Sequence, residues 1–204
     1  MTTITRLLIE TEDPEAAERF YGEALGLGER LRARGTDAPS SGFRGATVSL
    51  VVPDPVVADA FMDAGTSAGA TVVKPATRSL FGYGGTLRAP DGALVTIASS
   101  AKKPTDARPG TIDELVVQLG VASVAGSREF YVSQGTEVAQ SFGGKYASFA
   151  TGPITLALLK RPALAKAAGV DAAGTGSARL VLLGDLGELT DPDGFRWEEA
   201  DATR

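Results

Sequence analysis

The 204-residue sequence contains no cysteine and no histidine. Without cysteine there is no disulfide framework, no thiolate metal site and no cysteine nucleophile. Without histidine the chain lacks both the commonest neutral metal ligand and the commonest general base near neutral pH. A serine nucleophile therefore has no imidazole to activate it, and no GxSxG elbow is present. Long apolar runs are missing too: none approaches the roughly 18 residues needed to cross a bilayer. The start MTTITRLLIE lacks the charged and apolar regions of a secretory signal, so the expectation is a cytoplasmic protein with no membrane partner. Positive charge is in short supply. Lys and Arg number 20 against 25 Asp and Glu, a formal net charge of −5, which disfavours a phosphate backbone and argues against a nucleic-acid partner.

What remains is an ordinary globular balance, 43% hydrophobic and 22% charged, with enough apolar side chain for a sizeable core. Alanine-rich and glycine-rich usage suggests a high-GC bacterium. The chain echoes itself around AKKPTDARPG at 101–110, a charged stretch with two prolines and no apolar period, which reads as a linker. The expected division is a first module at 1–100, the linker at 101–110 and a second module at 111–204.

In the first half, ITRLLIE alternates as a half-buried strand, with Leu7 and Ile9 on one face and Arg6, Leu8 and Glu10 on the other. Asp13 and Pro14 open a helix with Ala17, Phe20, Tyr21, Ala24 and Leu25 on one stripe, which Gly26 ends. GFRGATVSLVV at 42–52 is a β-branched strand, Asp54-Pro55 starts a second helix, and ATVVK at 70–74 is a short strand. GYGGTLRAPDGALVTIAS folds as a hairpin around Pro90-Asp91-Gly92.

The second half repeats the order. TIDELVVQL is a strand, and the following helix carries Phe130-Tyr131 where the first carried Phe20-Tyr21. KYASFA and ITLALLK are strands, Pro162 to Ala168 is a short helix ended by Gly169, ARLVLLG is a strand, and LTDPDGFRWEEA repeats the hairpin. The glycine-rich stretch at 170–178 reads as a loop, without the strand-loop-helix setting of a phosphate site.

DPEAAERFYGEALGLGE, SLFGYGGTLRAPDGALVTI and their second copies SREFY and TDPDGFRWEEA resemble the modules of the glyoxalase, bleomycin-resistance and extradiol-dioxygenase superfamily, the vicinal-oxygen-chelate proteins. The resemblance covers nearly the whole chain. It implies an α+β fold of two tandem βαβββ modules whose mixed sheets form cups, with metal ligands, in metal-dependent members, on the first and last strands of a module. Carried over, those positions are Arg6 and Thr96 in the first module, and Glu114 or Val116 together with Glu198 in the second. Glu114, Val116 and Gln118 share a face whichever register holds, and that face is expected to line the cup.

Arg6 is a permanent cation and Thr96 a neutral hydroxyl, so no metal is expected at the first site. In the second, an oxygen-only Mg or Mn site using Glu114, Glu198 and Gln118 stays open as an alternative to no cofactor at all. The competing expectation pairs Arg6 with Glu198 or Glu114 across the cup. Phe43, Phe81, Tyr83, Phe142, Tyr146 and Phe149 either rim the cups as ligand-stacking aromatics or pack in the core. Leu8 is placed with the ligand-lining set. Arg196 shares the face of Glu198 and either binds an acidic group or neutralises Glu198. Trp197 points the opposite way, beneath the Phe130-Tyr131 helix.

Two functions follow from this set. One is a metal-free protein that binds or sequesters a small organic ligand, aromatic natural products included, as resistance proteins of this superfamily do. The other is a lyase, isomerase or dioxygenase-like enzyme using Glu114 and Glu198 as metal ligands or as acid and base. The resemblance also makes a homodimer an expected arrangement.

Overall fold

Alternation along ITRLLIET sends Leu7 and Ile9 into the main core and Leu8 to the other face of the strand β1 (Ile4–Thr11). Capping then sets the first helix. The Asp13 carboxylate accepts the Ala16 N–H at 2.9 Å and Pro14 occupies the first helical position, so α1 (Pro14–Arg19) starts there and runs on into a π-helical turn at Phe20–Ala24. The computed structural model describes residues 2–80, 82–101 and 103–200.

The first half continues with β2 (Leu31–Gly35), β3 (Ser41–Gly42), β4 (Ala46–Val51), α2 (Pro55–Ser67), β5 (Thr71–Ser79), β6 (Gly82–Arg88) and β7 (Leu94–Ser99). In the second half come β8 (Glu114–Val121), α3 (Val124–Ser133), β9 (Val138–Phe142), β10 (Tyr146–Phe149), β11 (Ile154–Lys160), α4 (Arg161–Ala168), β12 (Gly174–Thr175), β13 (Leu180–Gly184), β14 (Leu189–Thr190) and β15 (Arg196–Glu199). The fold is α+β, as expected.

An eight-stranded sheet runs in the order β5-β6-β7-β4-β8-β11-β10-β9. Within it β4-α2-β5-β6-β7 and β8-α3-β9-β10-β11 are two βαβββ units, each with its first strand parallel to its last, joined by the antiparallel β4–β8 pair. A five-stranded sheet, β14-β15-β13-β1-β2, is assembled from the two ends of the chain through the antiparallel β1–β13 pair. The βαβββ order thus begins at β4 and β8, and β1, read from sequence as an opening strand, lies in the smaller sheet. One buried cluster joins both sheets, with Leu7, Ile9 and Leu182 from the smaller and Val48, Leu50, Val117 and Leu156 among those from the larger. The inner faces of the strands therefore build the core, and the outer face of the larger sheet is free to shape a cup.

The internal repeat is visible in side-chain contacts. Phe20 meets Tyr21 edge-on at 5.1 Å, and Phe130 meets Tyr131 at 5.4 Å. The Tyr21 hydroxyl donates to Asp91 at 2.9 Å, and the Tyr131 hydroxyl donates to Asp191 at 2.8 Å, so each helix is tied to the hairpin turn of its own half. Burial pushes both phenols well above their usual pKa, which keeps them as donors. Trp197 packs on Tyr131 at 6.0 Å, beneath the helix as expected.

Several elements differ from the sequence reading. β2 and β9 are strands that it did not contain. The strand expected over 42–52 is divided, because Ser41–Gly42 leaves to pair with Gly174–Thr175 out of the glycine-rich stretch. Residues 103–110 carry no helix or strand among the described residues, yet Thr105 is bonded through its N–H at 2.7 Å and its hydroxyl at 2.6 Å to the Asp54 carboxylate.

Candidate ligand-binding site

Register places three hydroxyls side by side on the cup face of the larger sheet: Thr86 lies opposite Thr96, and Thr96 lies opposite Ser49. Across the β4–β8 seam, Thr47 faces Gln118, and its hydroxyl donates to the Gln118 side-chain oxygen at 2.8 Å. That bond leaves the Gln118 amide protons pointing onward, and the Thr96 Oγ1 is buried without a hydrogen-bond partner.

Ser49, Thr86, Thr96 and Gln118 floor a cavity of about 930 Å3. One wall is β5 and β6, with Lys74, Thr77 and Tyr83; the opposite wall is Gln140, Phe142, Tyr146 and Leu159. Phe142 and Tyr146 lie 5.9 Å apart with rings tilted by 36°, and Phe142 is 65% exposed, so an apolar ring face is open at the mouth. Helix α4 closes one end with Leu164, Ala167 and Ala168, and the Lys74 ammonium donates to the Ala167 carbonyl at 3.3 Å. Gly169 at φ 82° ends that helix where a side chain would be strained. The Tyr83 hydroxyl donates to Asp59 at 2.6 Å, which raises its pKa and removes it as a proton-transfer group near neutrality.

The charged residues singled out from sequence gather elsewhere. On the smaller sheet, Arg34 of β2 donates from Nη2 to Glu10 at 2.6 Å and to Glu198 at 2.8 Å, and from Nη1 to Glu198 at 2.9 Å. Arg196 donates to Glu10 at 2.5 Å and sits 3.9 Å from Glu198. The hydrogen bond from Arg34 holds the Glu198 carboxyl below its usual pKa.

The expected pairing of Arg6 with Glu198 or Glu114 is therefore corrected. Arg6 donates its Nε to the Glu29 carbonyl at 3.2 Å, and Arg34 takes the carboxylate because β2 runs parallel to β1 and brings Arg34 beside Glu10. Glu114 and Glu198 are not brought together. Glu114 lies exposed on β8 of the larger sheet, accepting the Thr155 hydroxyl, while Glu198 is on β15 of the smaller.

Of the remaining candidates, Tyr83, Thr96 and Gln118 line the cup. Val116 shares the face of Gln118 but is 7% exposed between Ser49 and Thr155. Phe43 is core: Arg161 lies 5.1 Å above its ring and grips its carbonyl at 2.5 Å, turning it toward Leu164 and away from the cup. Phe149 is fully buried against Tyr131 at 5.5 Å. Leu8 is fully buried with Val181 and Leu183 on the smaller sheet. Phe81 lies outside the described residues. Sequence reasoning passed over Ser49, Thr86, Lys74 and Gln140; the alternation of ATVSLV, with Thr47 and Ser49 on one face, was the available signal.

No family model matches the chain, and no curated protein matches it in sequence. Solved structures do match. Glyoxalase I from Zea mays superposes with a TM-score of 0.59 at 14% identity, over 97% of this chain and 91% of that one. A putative dioxygenase from Bacillus subtilis gives 0.55 at 12% identity, over 88% of this chain and 69% of that one. The chain has the glyoxalase fold. In this version of the glyoxalase fold the donor set does not fit a divalent metal ion. The large cup offers neutral hydroxyl and amide oxygens with no lining carboxylate among the described residues, and on the smaller sheet Arg34 and Arg196 already neutralise Glu10 and Glu198. No group of three acidic residues able to hold a metal occurs among the described residues. Nor is any helix long and apolar enough to cross a membrane.

Proposed function

We propose that this chain binds and sequesters a small, uncharged organic molecule with an aromatic portion in the eight-stranded cup, without a metal ion and without turning it over. The observation that carries this reading is the floor of the cup: a cavity of about 930 Å3 over a row of neutral hydroxyls, one of which, Thr96 Oγ1, is buried with no partner. A buried hydroxyl without a partner is destabilising to the fold, and a side-chain rotation that turns it toward the cavity lets a ligand oxygen or nitrogen pair with it. Gln118 adds a second oriented polar group, and Phe142 with Tyr146 supplies a surface for a flat ring. The enzymatic alternative finds less support. Glu114 and Glu198 stand on different sheets, and a carboxyl held low by Arg34 is a poor base near neutral pH.

A thermal-shift panel of aromatic natural products, run on the parent chain and on Thr96→Val, tests the reading. Binders are expected to raise the melting temperature of the parent chain. Thr96→Val should melt at the same temperature or higher without ligand, since it removes an unsatisfied hydroxyl costing about 1 kcal/mol, while losing roughly fivefold in affinity. Silence across a broad panel counts against sequestration. Stoichiometric metal in the purified protein, lost in Glu198→Ala, would favour the enzyme.

A further inference from the structure

A second, much smaller cavity lies between the two sheets. Its lining includes Ile9, Arg44, Thr47, Leu94, Arg179 and Leu180, and its volume is about 20 Å3, room for one water molecule or one monatomic ion. Arg44 stands just before β4 of the larger sheet and Arg179 just before β13 of the smaller, so the cavity is lined by an arginine from each.

The Arg179 side chain is only 5% exposed. Its Nη2 donates to the Ala38 carbonyl, but its Nε is buried with no partner. Its ion-pair partner Glu12 is 3.9 Å away and 82% exposed, so that attraction is screened by water. Arg44 is half-buried and donates to the backbone carbonyl of Asp91, whose carboxylate offsets the repulsion that Arg44 feels from Arg179. Arg88 adds a third positive charge nearby, against the carboxylates of Asp91 and Glu12.

We propose that this cavity is a binding site for a monovalent, halide-sized inorganic anion, held between Arg44 and Arg179 and joining the two sheets. A water molecule could accept from the Arg179 Nε, but it would leave like charges facing each other in a cavity otherwise walled by Ile9, Leu94 and Leu180, with few polar partners. One anion accepts the orphan N–H and neutralises the excess charge together. The small space favours a monatomic anion over phosphate, sulfate or a carboxylate. Burial pushes the Arg44 pKa down; the Asp91 carboxylate pushes it back up, and Arg179 pushes it down again.

The experiment has two arms on the full chain. Crystals grown in sodium bromide are examined for anomalous bromine scattering, and melting curves are recorded in sodium chloride and in sodium gluconate, whose anion cannot enter, at matched ionic strength. The expected result is a bromide peak between Arg44 and Arg179, together with a saturable rise in melting temperature of about 3 °C in chloride over gluconate. That difference should vanish in Arg44→Met. Arg179→Met is the paired variant; if it fails to fold, the bromide map and Arg44→Met still decide. A bromide map with water or nothing in the cavity, or melting curves that coincide in the two salts, would overturn the proposal.

Discussion

Glu198 has its ionised form stabilised chiefly by the hydrogen bond from Arg34, with the charges of Arg34 and Arg196 adding to it, and this fixes how the residue links stability to pH. Its folded pKa lies below its unfolded value. The stabilisation is therefore complete above the ordinary glutamate range near pH 4.3 and fades as the pH falls through that value toward the lower folded one. Glu198→Gln should cost about 1 kcal/mol at neutral pH, a modest loss because Arg34 is 37% exposed and keeps Glu10. The gap between parent and variant should close on acidification, read as melting temperature against pH. A gap of constant size down to the acid limb would show that the pair does not act through charge. Arg34 itself was out of reach of the sequence, because the alternation of LRARG is brief and ends at a glycine, so the strand that places it was not visible. Gln118, by contrast, was legible because strand alternation puts it on the cup face, Thr96 because the family resemblance points to the last strand, and Tyr83 as an aromatic in the hairpin.

Among the elements, those with a chemical start and stop could be read, and those at sheet edges could not. Asp13, Asp54 and Ser123 each accept an N–H from the first turn of a helix, and the helices begin where these residues stand. β2 and β9 are edge strands, β2 short and arginine-rich and β9 largely exposed, the kind that resists edge-to-edge association and carries little periodic signal. β5 was expected over ATVVK at 70–74, and Pro75 follows. It continues to Ser79 because an edge strand tolerates proline where its register shifts, as here between Lys74 and Thr77. Asp54 does more than cap α2. It accepts the Val57 N–H at 3.0 Å and both donors of Thr105, which lowers its pKa to about 2. Asp54→Ala should therefore loosen α2 and the 103–110 segment together, seen as faster proteolysis within that segment and a lower melting temperature. The parent chain should lose this contribution as the pH drops from the ordinary aspartate range toward 2, whereas the variant has nothing there to lose. Unchanged proteolysis would mean that Thr105 is held by something other than Asp54.

The repeat made the two-unit α+β architecture readable, since the Phe-Tyr helix and the Pro-Asp-Gly hairpin recur in order. How the units share their sheets was not readable, because register between distant strands depends on pairing partners that no local pattern names. The first half supplies β4 to the seam of the larger sheet and β1 to that of the smaller. The second half answers with β8 and β13. Cutting the chain within 101–110 would thus expose two unpaired strand edges on each half and divide a single core. Residues 1–100 or 111–204 expressed alone should show no cooperative thermal transition and should aggregate. Co-expressed, they should associate and recover one transition, because the β4–β8 and β1–β13 ladders and the shared core need no peptide bond between the halves. A half that melts cooperatively by itself would mean that the pairing within each half is enough to hold a fold, and that the two seams add to stability without being required for it.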